Sequence, residues 1–205
     1  MPVAKESGKD FTPVPAGTHV ARCFAVISLG TQSSPMFPAS FKVMLMWEVP
    51  GEHIEIDGKP APMTIPKEYT LSLSEKAHLR HDLQSWRGKD FTKQELEGFE
   101  VQKVIGFPCM LSVLHKESAK KKTYAVVAAV SAMPKGVQCP PQWHKTIHYE
   151  ISDGQNDVFQ ALPEWIQKKI AQCEEWTAPR AAAEEPESAG AAPDAQTEPE
   201  DTVPF

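Results

Sequence analysis

The chain has 205 residues, 27 of them acidic and 21 basic, with a formal net charge of −6 and 41% hydrophobic residues. No run approaches the ~18 apolar residues of a membrane span, and the polar start, MPVAKESGKDFTPVPAG, lacks the apolar stretch of a secretory signal, so a cytoplasm is the expected compartment. The four cysteines (Cys23, Cys109, Cys139 and Cys173) form no Cys-x-x-Cys pair and are expected as free thiols in a reducing compartment.

Residues 1–16 read as an irregular, proline-bearing arm, with Phe11 the one ring that could dock. Residues 17–29, GTHVARCFAVISL, form a long first strand punctuated by Gly30. Residues 30–40 read as a loop from Gly30, Ser33, Ser34, Pro35 and Pro38, with Met36 and Phe37 either tucked beneath it or presented to a ligand. Residues 41–49 form a second strand: Phe41, Val43, Leu45, Trp47 and Val49 share one face, and Lys42, Met44, Met46 and Glu48 the other. Pro50 and Gly51 end it; residues 51–63 read as a turn or hairpin, and residues 64–73 as a third strand.

At Ser74 the period changes. Ser74 is a candidate N-cap, Ala77, Leu79, Leu83 and Trp86 form an apolar stripe at helical spacing, and Gly88 stands at the C-cap. A capped short helix follows within residues 90–98 (residues 92–96), then a fourth strand at residues 109–116, a turn holding Lys120, Lys121 and Lys122, and a fifth strand at residues 124–132. Residues 133–161 show no strong period. From Leu162, the stripe Leu162, Trp165, Ile166, Ile170 and Cys173 predicts a helix that packs back on the strands.

Strand, strand, strand, helix, strand, strand is the order of an OB-fold, a five-stranded Greek-key barrel with a helix between strands 3 and 4. Another small β-barrel or sandwich is the competing architecture. In an OB-fold the binding surface is the face of strands 2 and 3, flanked by the loops joining strands 1–2 and 4–5. The chain thus divides into an arm (1–16), a mainly β domain with a C-terminal helix (17–176) and a tail (177–205).

The last 25 residues carry seven acids (Glu184, Glu185, Glu187, Asp194, Glu198, Glu200, Asp201) and no Lys or Arg. Removing them leaves 20 acidic against 21 basic residues, so the net negative charge belongs to the tail. With Val203 and Phe205 as its only strongly apolar side chains, the tail cannot bury enough surface to offset its ordering entropy and is expected to be disordered. Its tip offers Asp201, Val203, Pro204 and Phe205 to a partner pocket. A plain solubilising tail is the bland alternative.

That ending is similar to the acidic tips of bacterial and phage single-stranded-DNA-binding proteins. The body agrees: PAGTHVARCFAVISLGTQ, YTLSLSEKAHLRHDLQSWRGKDFT, KTYAVVAAVS and LPEWIQKKI resemble a family of phage-encoded single-stranded-DNA-binding proteins with an OB-fold, over residues 17–170. LQSWRGKDFT is the most specific part. The resemblance implies a role in phage DNA replication or recombination in a host cytoplasm, no catalytic residue, and recruitment of replication or recombination proteins by the tail tip. The tip EDTVPF has fewer consecutive acids than many such tails.

Binding a single strand without sequence preference needs cations that track phosphates and rings that stack on bases. The candidate cations are Lys42, Lys67, Arg80, Arg87, Lys89, Lys116, Lys120, Lys121 and Lys122. The candidate stackers are Phe37, Tyr69 and Tyr124; Trp47 and Trp86 have the spacing of core residues. A barrel face with basic loops accepts single or double strands. Two other classes compete. Glu48, Glu52, Glu55 and Asp57 could be read as a Mg²⁺ cluster of a nuclease, but hairpin acids are common and no nucleophile or phosphate loop accompanies them, so no enzyme, cofactor or metal is expected. Cys139, His144 and His148 lack a fourth zinc ligand in register. A protein-interaction module without a nucleic-acid role is the remaining alternative.

Overall fold

A computed structural model describes residues 12–56 and 58–177. Its main element is a strongly curled, antiparallel sheet. The strands are β1 (Gly17–Ser34), β2 (Phe37–Ile56), β3 (Lys59–Thr70), β4 (Pro108–Glu117), β5 (Thr123–Ser131) and the short β6 (Ile147–Tyr149). They lie in the order β3-β2-β1-β4-β5, and β6 pairs in parallel with β1 at residues 25–27, beyond the stretch that β4 covers. Three register shifts in the β1–β2 ladder, after Cys23, Ser28 and Gln32, bend it. The two ends of the path, β3 and β5, come into contact and curl the sheet toward a barrel.

Inside the curl lies the first core: Val43, Leu45, Trp47 and Val49 of β2, Ile65 and Tyr69 of β3, Leu111 and Val113 of β4, and Val127 and Val130 of β5. Helix α1 (His78–Arg87) plugs it with the predicted stripe Leu79, Leu83 and Trp86. Gly88 closes α1 in the left-handed region at φ 66°, as the sequence predicts, but the N-cap is Ala77 rather than Ser74. Ser74 makes the turn before it, accepting the Ala77 N–H at 2.9 Å. Helix α2 (Lys93–Glu97) starts in a capping box between Thr92 and Glu95.

The 30–40 stretch is not a loop. β1 and β2 run on as one hairpin that turns only at Pro35 and Met36. Nor does β2 end at Pro50 and Gly51; a register shift between Val49 and His53 absorbs them, and pairing with β3 continues to Ile56. Gly30 takes φ +70°, and a Cβ there would lie 2.6 Å from the Cys173 Sγ. The close approach, more than the turn, is what calls for glycine.

A second core lies on the opposite face of β1 and β2. Phe24, Ala25, Ile27 and Leu29 of β1 and Met44 and Met46 of β2 pack on Tyr149, Phe159, Leu162, Ile166 and Ile170. These come from β6 and from α3 (Asp157–Ala161) and α4 (Glu164–Ile170); α5 (Glu174–Thr177) ends the described chain. The single predicted C-terminal helix is therefore two short ones, and Trp165 of its stripe is 49% exposed. Burying Ile166 and Ile170 contributes roughly 1.5–3 kcal/mol each. The near-continuous burial of residues 43–49 follows from this layer, because both faces of β2 are covered.

Candidate nucleic-acid interface

The second layer changes where a ligand can bind. The face of strands 2 and 3 is the expected binding surface, but on β2 one side is inner core and the C-terminal segment buries the other, with Met44, Met46 and Glu48. Lys169 of α4 also reaches β3, where it pairs with Glu68.

Among the candidate cations, four are engaged within the fold. Lys42 donates to the Thr70 Oγ1 at 2.6 Å. Lys67 donates to Asp82 Oδ2 at 2.6 Å and stands 5.1 Å from the Tyr69 ring. Arg80 Nη1 donates to the Leu73 carbonyl at 3.2 Å. Arg87 pairs with Glu95 and lies over the Phe91 and Phe99 rings, at 4.5 and 5.4 Å. These four side chains brace the barrel and α1.

Tyr69 requires a correction. Its ring belongs to the inner core at 3% exposure, and its hydroxyl donates to Asp82 Oδ2 at 2.6 Å. Burial, with the neighbouring Asp82 carboxylate, pushes its phenol far above the ordinary value. No face of this ring is open to a base. The Trp47 and Trp86 rings are likewise core, as their spacing predicts.

The remaining candidates are exposed, and most of them gather on one ribbon. On β4–β5, Lys116 stands opposite Tyr124 and Leu114 opposite Val126. Tyr124 is 40% and Leu114 52% exposed. Beyond them the chain turns through Lys120, Lys121 and Lys122. That turn is closed by three bonds: Lys121 N–H to Ser118 O at 2.8 Å, Ser118 N–H to Lys122 O at 2.9 Å, and Lys122 N–H to Ser118 Oγ at 3.1 Å. Lys121 sits in the left-handed region at φ 56°. The turn therefore presents three consecutive exposed lysines at the end of a strand pair that carries a half-exposed ring. Phe37 projects from the tip of the β1–β2 hairpin beside Met36, at 69% and 80% exposure. Lys89 is exposed just past α1 and pairs with no carboxylate among the described residues.

Among the described residues, Glu48, Glu52 and Glu55 do not gather into a cluster that could hold a metal ion. Glu48 is fully buried and accepts the Trp143 N–H at 3.0 Å and the His144 N–H at 2.9 Å. His144 Nδ1 stands 2.9 Å from the same carboxylate, and since a carboxylate only accepts, Nδ1–H donates. The His144 ring stacks on Phe24 at 4.8 Å. Glu52 pairs with His19 at 3.6 Å, and Asp57 lies outside the described residues. Cys139 turns its thiol toward the Ala21 carbonyl, and His148 pairs with Glu150 at 3.4 Å, so these two and His144 point to separate partners. Among the described residues no group of three His, Cys, Asp or Glu is placed to hold a metal ion, and no helix is long and apolar enough to cross a membrane.

Two exposed rings escaped the sequence reading, Phe107 and Trp143, at 60 and 56%, and Trp165, expected in the packed stripe, is exposed as well. Gly106 before Phe107 was the one local signal available, since glycine marks a turn. The tail-tip candidates Asp201, Val203, Pro204 and Phe205 lie outside the described residues. Comparison with protein-family models gave no match, and comparison with curated proteins gave none.

Proposed function

We propose that the protein binds single-stranded DNA without sequence preference, in phage DNA replication or recombination, through an OB-like barrel. The path β3-β2-β1-β4-β5, with α1 between the third and fourth strands, supports the Greek-key reading of the sheet. The observation that carries the function is the β4–β5 ribbon, where Lys116 faces Tyr124 and the closed turn presents Lys120, Lys121 and Lys122. Cations there would release counterions from phosphates, and each base stacked on a ring is worth ~1–3 kcal/mol. Phe37 extends the contact from the hairpin tip, and Lys89 from the end of α1. With the outer face of β2 covered, the ribbon and the tip replace that face as the contact surface.

The acidic residues 181–205 recruit replication or recombination proteins through Asp201, Val203, Pro204 and Phe205, and compete with DNA for the lysines. The reading is that of a binder that performs no catalysis, in the cytoplasm of a host cell. The test is a titration of the full chain with a short dT oligonucleotide at two salt concentrations. Saturable binding that weakens steeply with salt is expected. Absence of binding at low salt, with and without residues 181–205, overturns the reading. It would leave the interaction module, which the exposed Met36, Phe37, Trp143 and Trp165 side chains favour.

A further inference from the structure

The lysine turn occupies one end of β4. At the other end, beside Pro108, the end of α1 and the 3₁₀ turn Val101–Val104 enclose a groove of about 450 Å³. Trp86, Phe99 and Met133 form its apolar lining, and Phe107 stands at its edge.

Phe107 is exposed on a backbone that is tightly held. Gly106 turns the chain at φ +83°, and its N–H donates to the Cys23 carbonyl at 2.7 Å. The Gly106 carbonyl accepts Arg22 Nη1 at 2.5 Å, and the Phe107 N–H donates to the Val104 carbonyl at 3.2 Å. The same arginine ties this turn to the Cys139 and Pro140 carbonyls. An exposed ring on a held backbone, beside an apolar groove, offers a contact face.

The rim is cationic. Lys89, Lys103 and Arg87 all line the groove. Lys103 has a weak competitor in Glu100, at 3.4 Å with both side chains more than 60% exposed. Arg87 Nη1 is buried and has no hydrogen-bond partner among the described residues. Two carboxylates of the same segment are already engaged, Glu95 by Arg87 and the Thr92 N–H, and Asp90 by Gln84.

An apolar groove with ring faces and a cationic rim fits a flat aromatic group that carries negative charge. We propose that it takes one nucleotide of the single strand, the base against Phe107 and the adjoining phosphates at Lys89 and Lys103. The inference rests on the nucleic-acid reading above and adds a second contact to it. β4 has ten residues, so the groove and the lysine turn stand roughly 30 Å apart along it. One strand following the β4–β5 ribbon can use both, whereas an acidic peptide with a single ring fills the groove alone.

The test uses the full chain, a dT oligonucleotide of about 16 nucleotides and one of about 4, spanning the site sizes of such barrels. Phe107→Ala and the double variant Lys89→Gln/Lys103→Gln alter exposed side chains and should leave the fold intact. Phe107→Ala is expected to weaken the longer oligonucleotide about tenfold, the worth of one stacked base, the double lysine variant to weaken it and lower its salt slope by roughly 1.4 for two phosphates, and both to affect the shorter one less. Iodouridine substituted into the longer strand should photo-crosslink to Phe107. Equal affinities for wild type and both variants, with crosslinks only on the ribbon, overturn the groove while leaving the proposed function standing. Failure of the wild type to bind either oligonucleotide overturns both. A synthetic peptide of residues 196–205 that binds the wild type and not Phe107→Ala, with dT affinity unchanged, makes the groove a peptide site and also overturns the inference.

Discussion

Glu48 points away from the barrel interior, yet it is fully buried, because residues 143–144 close over it with two backbone N–H groups and an imidazole. A buried carboxylate with three donors is costly to dismantle: removing it orphans all three, and breaking a buried pair costs about 3–5 kcal/mol. Glu48→Ala should therefore lower the urea midpoint by roughly 3 kcal/mol of stability, and loosen the segment that carries Trp143. A change below ~1 kcal/mol would show that the clamp is wet or dispensable. The thiols give a second check at this scale. Burial pushes Cys23 up to about 12 and raises Cys109 as well, and it also raises Cys139 and Cys173. Only Cys139 is part-exposed. Alkylation of the native protein should then label Cys139 first, slowly near neutrality and faster as pH rises, because a raised pKa leaves little thiolate at about pH 7. Mass spectrometry of the labelled peptides reads this directly, and early labelling of Cys23 would contradict the packing.

Among the elements, the β1–β2 hairpin depends on α5. The Thr31 N–H and hydroxyl donate to Glu175, and the Ser33 hydroxyl donates to Glu174. Burial works to raise the Glu175 carboxyl, but the Thr31 bonds outweigh it and hold the group below its ordinary value. Between these contacts and the core, Gly30 presses on Cys173. Gly30→Ala should cost about 2 kcal/mol or more, since it combines left-handed strain with a clash against a buried side chain. Thermal unfolding would measure it. The sequence marked Gly30 as the end of a strand, which was the right residue with the wrong role. The glycine allows a bulge in a continuing strand and the seating of a helix from the far end of the described chain. Loop composition at residues 30–40 misled for the same reason: Gly30, Ser33, Ser34, Pro35 and Pro38 look like a loop when the partner strand is out of view, although only Pro35 and Met36 turn.

For the molecule as a whole, the charge distribution makes the sharpest predictions. Replacing Lys120, Lys121 and Lys122 with Gln should reduce the slope of log affinity against log salt by about 2, at roughly 0.7 for each phosphate that is no longer neutralised. An unchanged slope would remove the lysine turn from the interface. Deleting residues 181–205 takes away seven acids and no base, so it should tighten binding to dT oligonucleotides, most of all at low salt. Equal or weaker affinity would end the competition argument. Both series need only fluorescence titrations and intact folds, and neither changes a core residue.

Local matters were legible in the chain: five strands and a helix in order, the α1 stripe, the Gly88 cap, a short helix near residues 92–96, the core role of Trp47 and Trp86, and the concentration of negative charge beyond residue 181, whereas the capping role of Thr92 came only with the structure. These depend on spacing within one element or on simple counts. Tertiary structure alone decided which candidates remain open to a ligand. Tyr69 shares a strand face with Lys67, which made it a candidate stacker, but Asp82 of α1 gathers both side chains inward. Strand alternation puts Lys42, Met44, Met46 and Glu48 on one face but does not show that the layer of β6, α3 and α4 folds over Met44, Met46 and Glu48. The stripe of α4 announces a helix packed on the strands, but β6 and α3 come from residues with little periodicity, and all three lie far downstream of β2 in the chain. Its burial is a sum over non-local contacts, which no window of the sequence contains.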